Sequence, residues 1–128
     1  MGRPQALIID DNLGNLRVLV ELLQLEDIRF IEVYDPRTLE AQLQDMPPID
    51  IIFLDLEMPS LNGYQILRLF KSHPRYSDVP IVACTVHIGE IHTAREQGFH
   101  SFIGKPINVD TFPEQLRRIL SGEQVWSS

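Results

Sequence analysis

The sequence predicts a three-layer α/β sandwich in which helices cover both faces of a five-stranded parallel sheet. Short apolar runs recur along the chain, and most of the stretches between them show the apolar spacing of amphipathic helices. Five such strand-helix units in 128 residues require parallel pairing with right-handed crossovers. A hydrophobic content of 44% suits one domain over residues 1–128, with a core at about 6–120 and a short tail.

The predicted strands differ in their expected depth in the sheet. The first is apolar until a final aspartate, as expected of a central strand covered on both faces, and the third has an apolar run over residues 51–54 before its final aspartate. The second alternates apolar and polar residues, which indicates a position nearer an edge. The predicted strands comprise residues 6–10, 29–34, 49–55, 81–85 and 101–104.

A helix is predicted after each strand. The first has Asn12 as its N-cap and a buried stripe at Leu13, Leu16, Val20 and Leu23. The fourth has few apolar anchors and is the expected mobile element. The predicted helices comprise residues 12–27, 35–44, 63–73, 89–97 and 109–120. The tail after them is too short for an output domain, although Trp126 could pack back on the surface.

Charge and composition exclude several classes of function. A net charge of -7 without a cluster of basic residues opposes binding to nucleic acid and disfavours anionic membranes. The single cysteine, Cys84, rules out an intramolecular disulfide and a paired-cysteine metal site, which favours a reducing compartment. No segment reads as a signal peptide or membrane span, so we expect a cytoplasmic protein.

Polar residues of complementary types end four of the five predicted strands. They are Asp10 with Asp11, Asp55, Thr85 and Lys105. In a parallel sheet these residues meet at one edge, where open α/β sheets bind ligands. Two carboxylates ~4 Å apart repel by about 4 kcal/mol at an effective dielectric near 20, so a cation is needed among them. An oxygen-only set favours Mg²⁺, with Mn²⁺ as the alternative.

The remaining groups indicate phosphoryl chemistry. The hydroxyl of Thr85 and the ammonium of Lys105 could each hold a phosphoryl oxygen. Asp55 would then be free to act as a nucleophile and form an acyl phosphate. The residues therefore predict metal-assisted phosphoryl transfer to an aspartate.

At this point the chain resembles the receiver domain of bacterial response regulators. The resemblance covers about residues 6–120 and rests on the acidic pair Asp10 and Asp11, the segment "DLEMPSLNG" over 55–63, Thr85, and "KP" at 105–106. Their order and spacing together are very specific. The resemblance implies a flavodoxin-like sheet with strand order 2-1-3-4-5.

The resemblance also implies a role for each site residue. Asp55 would accept phosphate from a sensor histidine kinase or a histidine phosphotransfer protein. Asp10, Asp11, Asp55 and the backbone carbonyl of Glu57 would hold Mg²⁺, with Asp10 acting through water. Thr85 and Lys105 would contact the phosphoryl group.

Other implied roles concern signal output and loop shape. Phe102 is at the family's aromatic switch position, which turns inward as the threonine moves toward the phosphate. The surface of helix four, strand five and helix five would then change for a downstream protein target or for a homodimer partner. Pro59 and Gly63 would shape the loop after the acceptor, and Pro106 would follow a cis peptide bond, although most such bonds are trans.

Three residues depart from the family pattern or vary within it. Val86 stands where a small residue is usual, so access to the phosphoryl group is expected to be narrower. Glu57 and His87 are expected to influence the lifetime of the phosphate. The direction of the effect of His87 does not follow from the sequence.

Three functions therefore compete. The first is a stand-alone phosphoacceptor that signals through protein contacts and is not an enzyme beyond slow self-dephosphorylation. The second is a degenerate receiver that serves as a scaffold without phosphorylation. The presence of all five usual site residues argues against it. The third is a haloacid-dehalogenase-like phosphatase, which needs a second aspartate where Glu57 stands and a cap for which the chain has no room.

Overall fold

The computed structural model describes residues 3–33, 35–58 and 61–127. Its strands are β1 (Gln5–Ile9), β2 (Arg29–Val33), β3 (Ile51–Leu54), β4 (Glu57–Met58), β5 (Leu61–Asn62), β6 (Ile81–Thr85), β7 (Ser101–Gly104) and β8 (Trp126–Ser127). Its α-helices are α1 (Leu13–Leu25), α2 (Leu39–Leu43), α3 (Gly63–Ser72), α4 (Ile91–Gln97) and α5 (Phe112–Leu120). Single 3₁₀ turns, Pro36–Thr38 and Ile88–Glu90, precede α2 and α4.

The main sheet is parallel and has the order β2-β1-β3-β6-β7-β8. The five predicted strands thus have the expected order, and the alternating second strand lies at an edge. The predicted number of five was too low, because residues of the tail add β8 beside β7. The short strands β4 and β5 pair with each other in antiparallel fashion outside this sheet.

Helices cover both faces of the sheet, as predicted for three layers. The side chains of α1 and α5 pack on one face and those of α2, α3 and α4 on the other. Both core clusters draw on β1, β3 and β6, because successive residues of a strand point to opposite faces. The burial of every residue of these three strands explains their continuous apolar sequences.

Several element boundaries and one buried position differ from the prediction. Helix α4 begins after a 3₁₀ turn, and α5 begins three residues later than residue 109. The later start follows from Asn108, whose side-chain oxygen accepts the N–H groups of Asp110 and Thr111 at 2.9 and 3.3 Å and forms a turn. Leu13 was predicted to be buried but is 64% exposed, because the inward face of α1 begins at Leu16.

Within the described ranges, no helix has both the length and the apolar character needed to cross a membrane.

Candidate functional site

The carboxyl ends of the central strands position the candidate site. Asp10 follows β1, Asp55 follows β3, and Lys105 follows β7. The last residues of β1 and β3, Ile9 and Leu54, are register partners, so Asp10 and Asp55 emerge side by side. The apolar run before each aspartate fixes its direction, because these strands are buried on both faces.

Three carboxylates form a cluster at this edge. Asp10, Asp11 and Asp55 each offer an oxygen atom, and these atoms lie within 4.8 Å of one another. Asp10 and Asp55 are only 5% and 6% exposed. Both oxygens of Asp10 already accept hydrogen bonds, one from the Asn12 N–H at 2.9 Å and one from Lys105 Nζ at 2.7 Å. Asp11 and Asp55 are therefore the carboxylates with more capacity for a new ligand.

Burial controls the charge of Asp55. It raises the pKa of this carboxyl to about 6, although the Glu57 N–H and Lys105 act in the opposite direction. The Glu57 N–H donates to Asp55 Oδ1 at 3.1 Å, and Lys105 Nζ lies 3.8 Å from Asp55 Oδ2. Asp10 adds to the rise through its negative charge. Burial, with a smaller contribution from Asp10, therefore disfavours the ionised form of Asp55.

Lys105 lies at this edge beside the carboxylates, where the strand-end pattern predicted it. Burial alone would lower its pKa, but the hydrogen bond to Asp10 and the surrounding negative groups outweigh burial and raise the pKa. The ammonium therefore stays charged although its side chain is only 9% exposed, and it is directed at the cluster. The peptide bond between Lys105 and Pro106 is cis.

The cluster opens into a cleft of about 480 Å³. The residues that line it are Asp11, Asn12, Asn15, Asp55, Glu57, Val86 and Lys105. Two of these, Asn12 and Asn15, were missed as site residues by the sequence analysis, which used Asn12 only as a helix cap. Their signal was available, because both lie within one helical turn of Asp11. Val86 is 58% exposed at the rim, so its side chain borders the entrance rather than filling the cleft.

Thr85 and Phe102 lie behind the cleft. Thr85 is fully buried, and its hydroxyl oxygen accepts the His87 N–H at 3.2 Å. Its carbonyl accepts the Lys105 N–H at 2.8 Å, which connects the ends of β6 and β7. Phe102 is also fully buried and belongs to the core cluster beneath α3 and α4. The side chain of Phe102, the residue expected to turn inward, is thus already inside the protein in this structure.

A short contact between His87 and Glu57 lies beside the cleft. His87 Nε2 lies 2.6 Å from Glu57 Oε2, and both side chains are about half exposed. Glu57 follows Asp55 by two residues, and His87 follows Thr85 by two residues. His87 and Glu57, the two residues expected to influence phosphate lifetime, therefore join the loops that follow β6 and β3.

Gly63 allows the segment after Asp55 to pack closely against α3. A Cβ atom at Gly63 would lie 3.0 Å from the Cα of Leu56 and 3.1 Å from the carbonyl oxygen of Asp55. A side chain at Gly63 would displace the backbone of Asp55 and Leu56. Pro59, the other residue assigned to this loop, lies outside the described residues.

The residues at this edge fit a hard divalent cation. The cluster presents oxygen ligands only, with three carboxylates beside the Lys105 ammonium. Mg²⁺ in proteins is bound by one or two carboxylates, waters and a phosphate oxygen. Asp11 and Asp55 line the cleft and can supply carboxylates of this kind.

Comparison with known proteins places this geometry in a family. The profile of the response regulator receiver domain matches residues 6–117. The chain is 30% identical over 112 residues to stress response regulator protein 1 of Meyerozyma guilliermondii, covering 84% of the chain and 51% of that protein. It is 25% identical over 123 residues to the signal transduction histidine-protein kinase BarA of Escherichia coli, covering 94% of the chain and 13% of that protein. The chain thus spans about half of the length of the first relative and about an eighth of the second.

A solved structure shows the same fold. The chemotaxis response regulator CheY4 of Vibrio cholerae superimposes with a TM-score of 0.81 at 22% identity, and the match covers 92% of the chain and 99% of that structure. The parallel sheet with helices on both faces described above is therefore the fold of this solved structure as well. The chain belongs to the response regulator receiver domain family.

Proposed function

We propose that the chain is a phosphoacceptor of a two-component phosphorelay and that Asp55 receives the phosphoryl group. One observation carries the proposal: the nearly buried carboxylate of Asp55 lines an open cleft, beside two more carboxylates and the Lys105 ammonium. The proposed donor is a phosphohistidine on a sensor kinase or phosphotransfer protein. Receiver domains within histidine kinases such as BarA support this class of donor.

The proposed step is an in-line displacement at phosphorus. An oxygen of the Asp55 carboxylate attacks the phosphorus atom of phosphohistidine and forms the P–O bond of an acyl phosphate. The P–N bond breaks, and its electron pair stays on the imidazole nitrogen of the donor. The Lys105 ammonium, 3.8 Å from Asp55 Oδ2, is positioned to pair with a phosphoryl oxygen. The Thr85 hydroxyl would donate to a phosphoryl oxygen after giving up its present hydrogen bond with the His87 N–H.

A resident Mg²⁺ is part of the proposal, with Mn²⁺ as its substitute. Asp11 and Asp55 would bind it directly, together with the Glu57 backbone carbonyl, and Asp10 would act through water because both of its oxygens are engaged. Bound there, the ion would neutralise negative charge on the phosphoryl oxygens. The Glu57 N–H orients the Asp55 carboxylate, because it donates to Oδ1 and leaves Oδ2 for attack.

The proposed output is a change in protein contacts, in the cytoplasm where such donors act. The surface of α4, β7 and α5 is the candidate contact region for a downstream protein or for a second copy of the chain. Phosphorylation would reach it through β7, since Lys105 follows that strand directly.

The test uses the full chain with Mg²⁺ and acetyl phosphate, followed by intact mass after acid quenching. We expect one added phosphate in the wild type, none in Asp55→Asn, and an unchanged adduct in Asp45→Asn, an exposed aspartate away from the cleft. A chelator should abolish the adduct. No adduct would favour the scaffold function, and sustained turnover of phosphomonoesters would favour a phosphatase.

A further inference from the structure

The tail after α5 folds back and becomes a strand of the main sheet. The reversal is made at Gly122, whose φ of 100° is accessible to glycine at little cost. The N–H of Glu123 donates to the Arg118 carbonyl at 2.9 Å, and the N–H of Gly122 donates to the Ile119 carbonyl at 3.0 Å. An ion pair of 2.8 Å between Arg118 and Glu123 also holds the turn. The turn therefore directs the tail toward β7.

The tail then contacts β7 along its free edge. The N–H of Val125 donates to Ser101 Oγ at 2.9 Å, and the N–H of Phe102 donates to the Val125 carbonyl at 2.7 Å. Trp126 is the register partner of Phe102. The contact combines a hydrogen bond to the Ser101 side chain with strand pairing at Phe102 and Ile103.

The side chains of the tail take part in both core clusters. Val125 is 5% exposed and packs with the cluster beneath α1 and α5. Trp126 packs against the opposite cluster, which contains Phe102, and the Arg95 guanidinium of α4 lies 4.9 Å from the centre of its ring. The tail therefore covers the edge of β7 and part of the neighbouring surface of α4.

The pairing of β8 is short compared with the other pairing of β7. Two register pairs join β7 to β8, whereas four join β7 to β6. An uncovered strand edge presents N–H and C=O groups that can pair with another chain, so the tail closes a potential contact surface. A small displacement of β7 would therefore break its pairing with β8 before its pairing with β6.

We propose that residues 123–127 are an autoinhibitory strand, which covers the edge of β7 and the Arg95 surface of α4 until phosphorylation at Asp55 releases it. The release rests on the proposed function. A phosphoryl group on Asp55 competes with Asp10 for the ammonium of Lys105, which now lies 2.7 Å from Asp10. Lys105 directly follows β7, so its movement shifts the strand against its shorter partner. The exposed edge then accepts an extended segment of a partner protein.

Trp126 is the single tryptophan of the sequence and reports on the tail in the full chain. Samples with Mg²⁺ and acetyl phosphate are divided between intact mass, tryptophan emission and amide hydrogen exchange. We expect the phosphate adduct to accompany a red shift of the emission and a loss of protection at the Phe102 amide, which donates to Val125. Asp55→Asn should show neither change.

Equilibrium linkage gives a second readout. If a phosphoryl mimic weakens docking of the tail, loosening the tail must strengthen binding of the mimic by the same factor. Trp126→Ala should therefore lower the dissociation constant of beryllofluoride, measured by calorimetry with Mg²⁺, by about fivefold. Leu25→Ala, an exposed apolar residue on α1, is the matched control and should leave it unchanged.

The outcomes separate the two proposals. A full phosphate adduct with unchanged emission, unchanged exchange and equal beryllofluoride affinity would overturn release of the tail and leave the phosphoacceptor function intact. Absence of any adduct would overturn the phosphoacceptor function, and release by phosphorylation would be overturned with it. An adduct with both the spectral change and tighter binding by Trp126→Ala supports the autoinhibitory strand.

Discussion

Replacing Asp55 by asparagine is expected to stabilise the metal-free protein, although it removes the proposed acceptor. The carboxyl has a pKa of about 6 in the folded chain against an ordinary 3.8. Each pKa unit corresponds to about 1.4 kcal/mol, which sets an upper limit of about 3 kcal/mol for the cost of ionising Asp55. Because the carboxylate borders a cleft open to water, we expect a gain of about 1–2 kcal/mol in the free energy of unfolding.

The pH dependence follows from the sign of this pKa change. A carboxyl with a raised pKa binds its proton more tightly in the folded protein, so its contribution to stability is complete below about pH 4. That contribution is lost as the pH rises through about 6. The advantage of Asp55→Asn should therefore be absent near pH 4 and fully developed at about pH 7.5.

Urea unfolding with a chelator, at several pH values, measures this difference. Asp45→Asn is the matched control, because Asp45 is exposed, and it should change stability by less than about 0.5 kcal/mol at each pH. In excess Mg²⁺ the advantage should shrink, because the wild type gains binding energy that the variant partly loses. Equal stability of Asp55→Asn and wild type at about pH 7.5 without metal would refute the reasoning.

Three further predictions test other parts of the site. Gly63→Ala should lower the free energy of unfolding by about 1–3 kcal/mol, because its Cβ would lie 3.0 Å from the Leu56 Cα; unchanged urea unfolding would contradict this. His87→Ala should shorten the lifetime of the phosphorylated chain about two- to fivefold by removing its contact with Glu57, and an unchanged or longer lifetime would contradict this. Burial raises the pKa of Cys84 to about 12, so an aromatic disulfide reagent should label it only after unfolding; prompt labelling of the native chain would show that it is accessible.

Much of the site could be predicted from the sequence, because the site residues directly follow buried strands. A parallel sheet brings the residues after its strands to one edge, so Asp10, Asp55 and Lys105 could be placed together before any geometry was known. A separate signal, the alternation of apolar and polar residues, predicted the edge position of β2. The burial of Asp55 and its effect on the pKa required the three-dimensional structure, since they depend on how closely the loops surround it.

Other features depend on contacts that have no local pattern. The strand β8 has two residues, too few to show a period, and it exists because Gly122 reverses the chain and Val125 finds a place in the core. The exposure of Leu13 depends on where α1 turns its inward face. The contact between His87 and Glu57 joins two separate loops, although their equal spacing from Thr85 and Asp55 was visible in the sequence.

Chemical identification of the phosphorylated residue tests the central claim most directly. Borohydride reduces an acyl phosphate of aspartate to homoserine, which peptide mass spectrometry can locate in the chain. After treatment of the full chain with Mg²⁺ and acetyl phosphate, we predict homoserine at residue 55 and none when a chelator is present. Homoserine at Asp10 or Asp11 instead, or phosphate retained on a histidine with no reducible aspartate, would contradict the assignment of Asp55 as the acceptor.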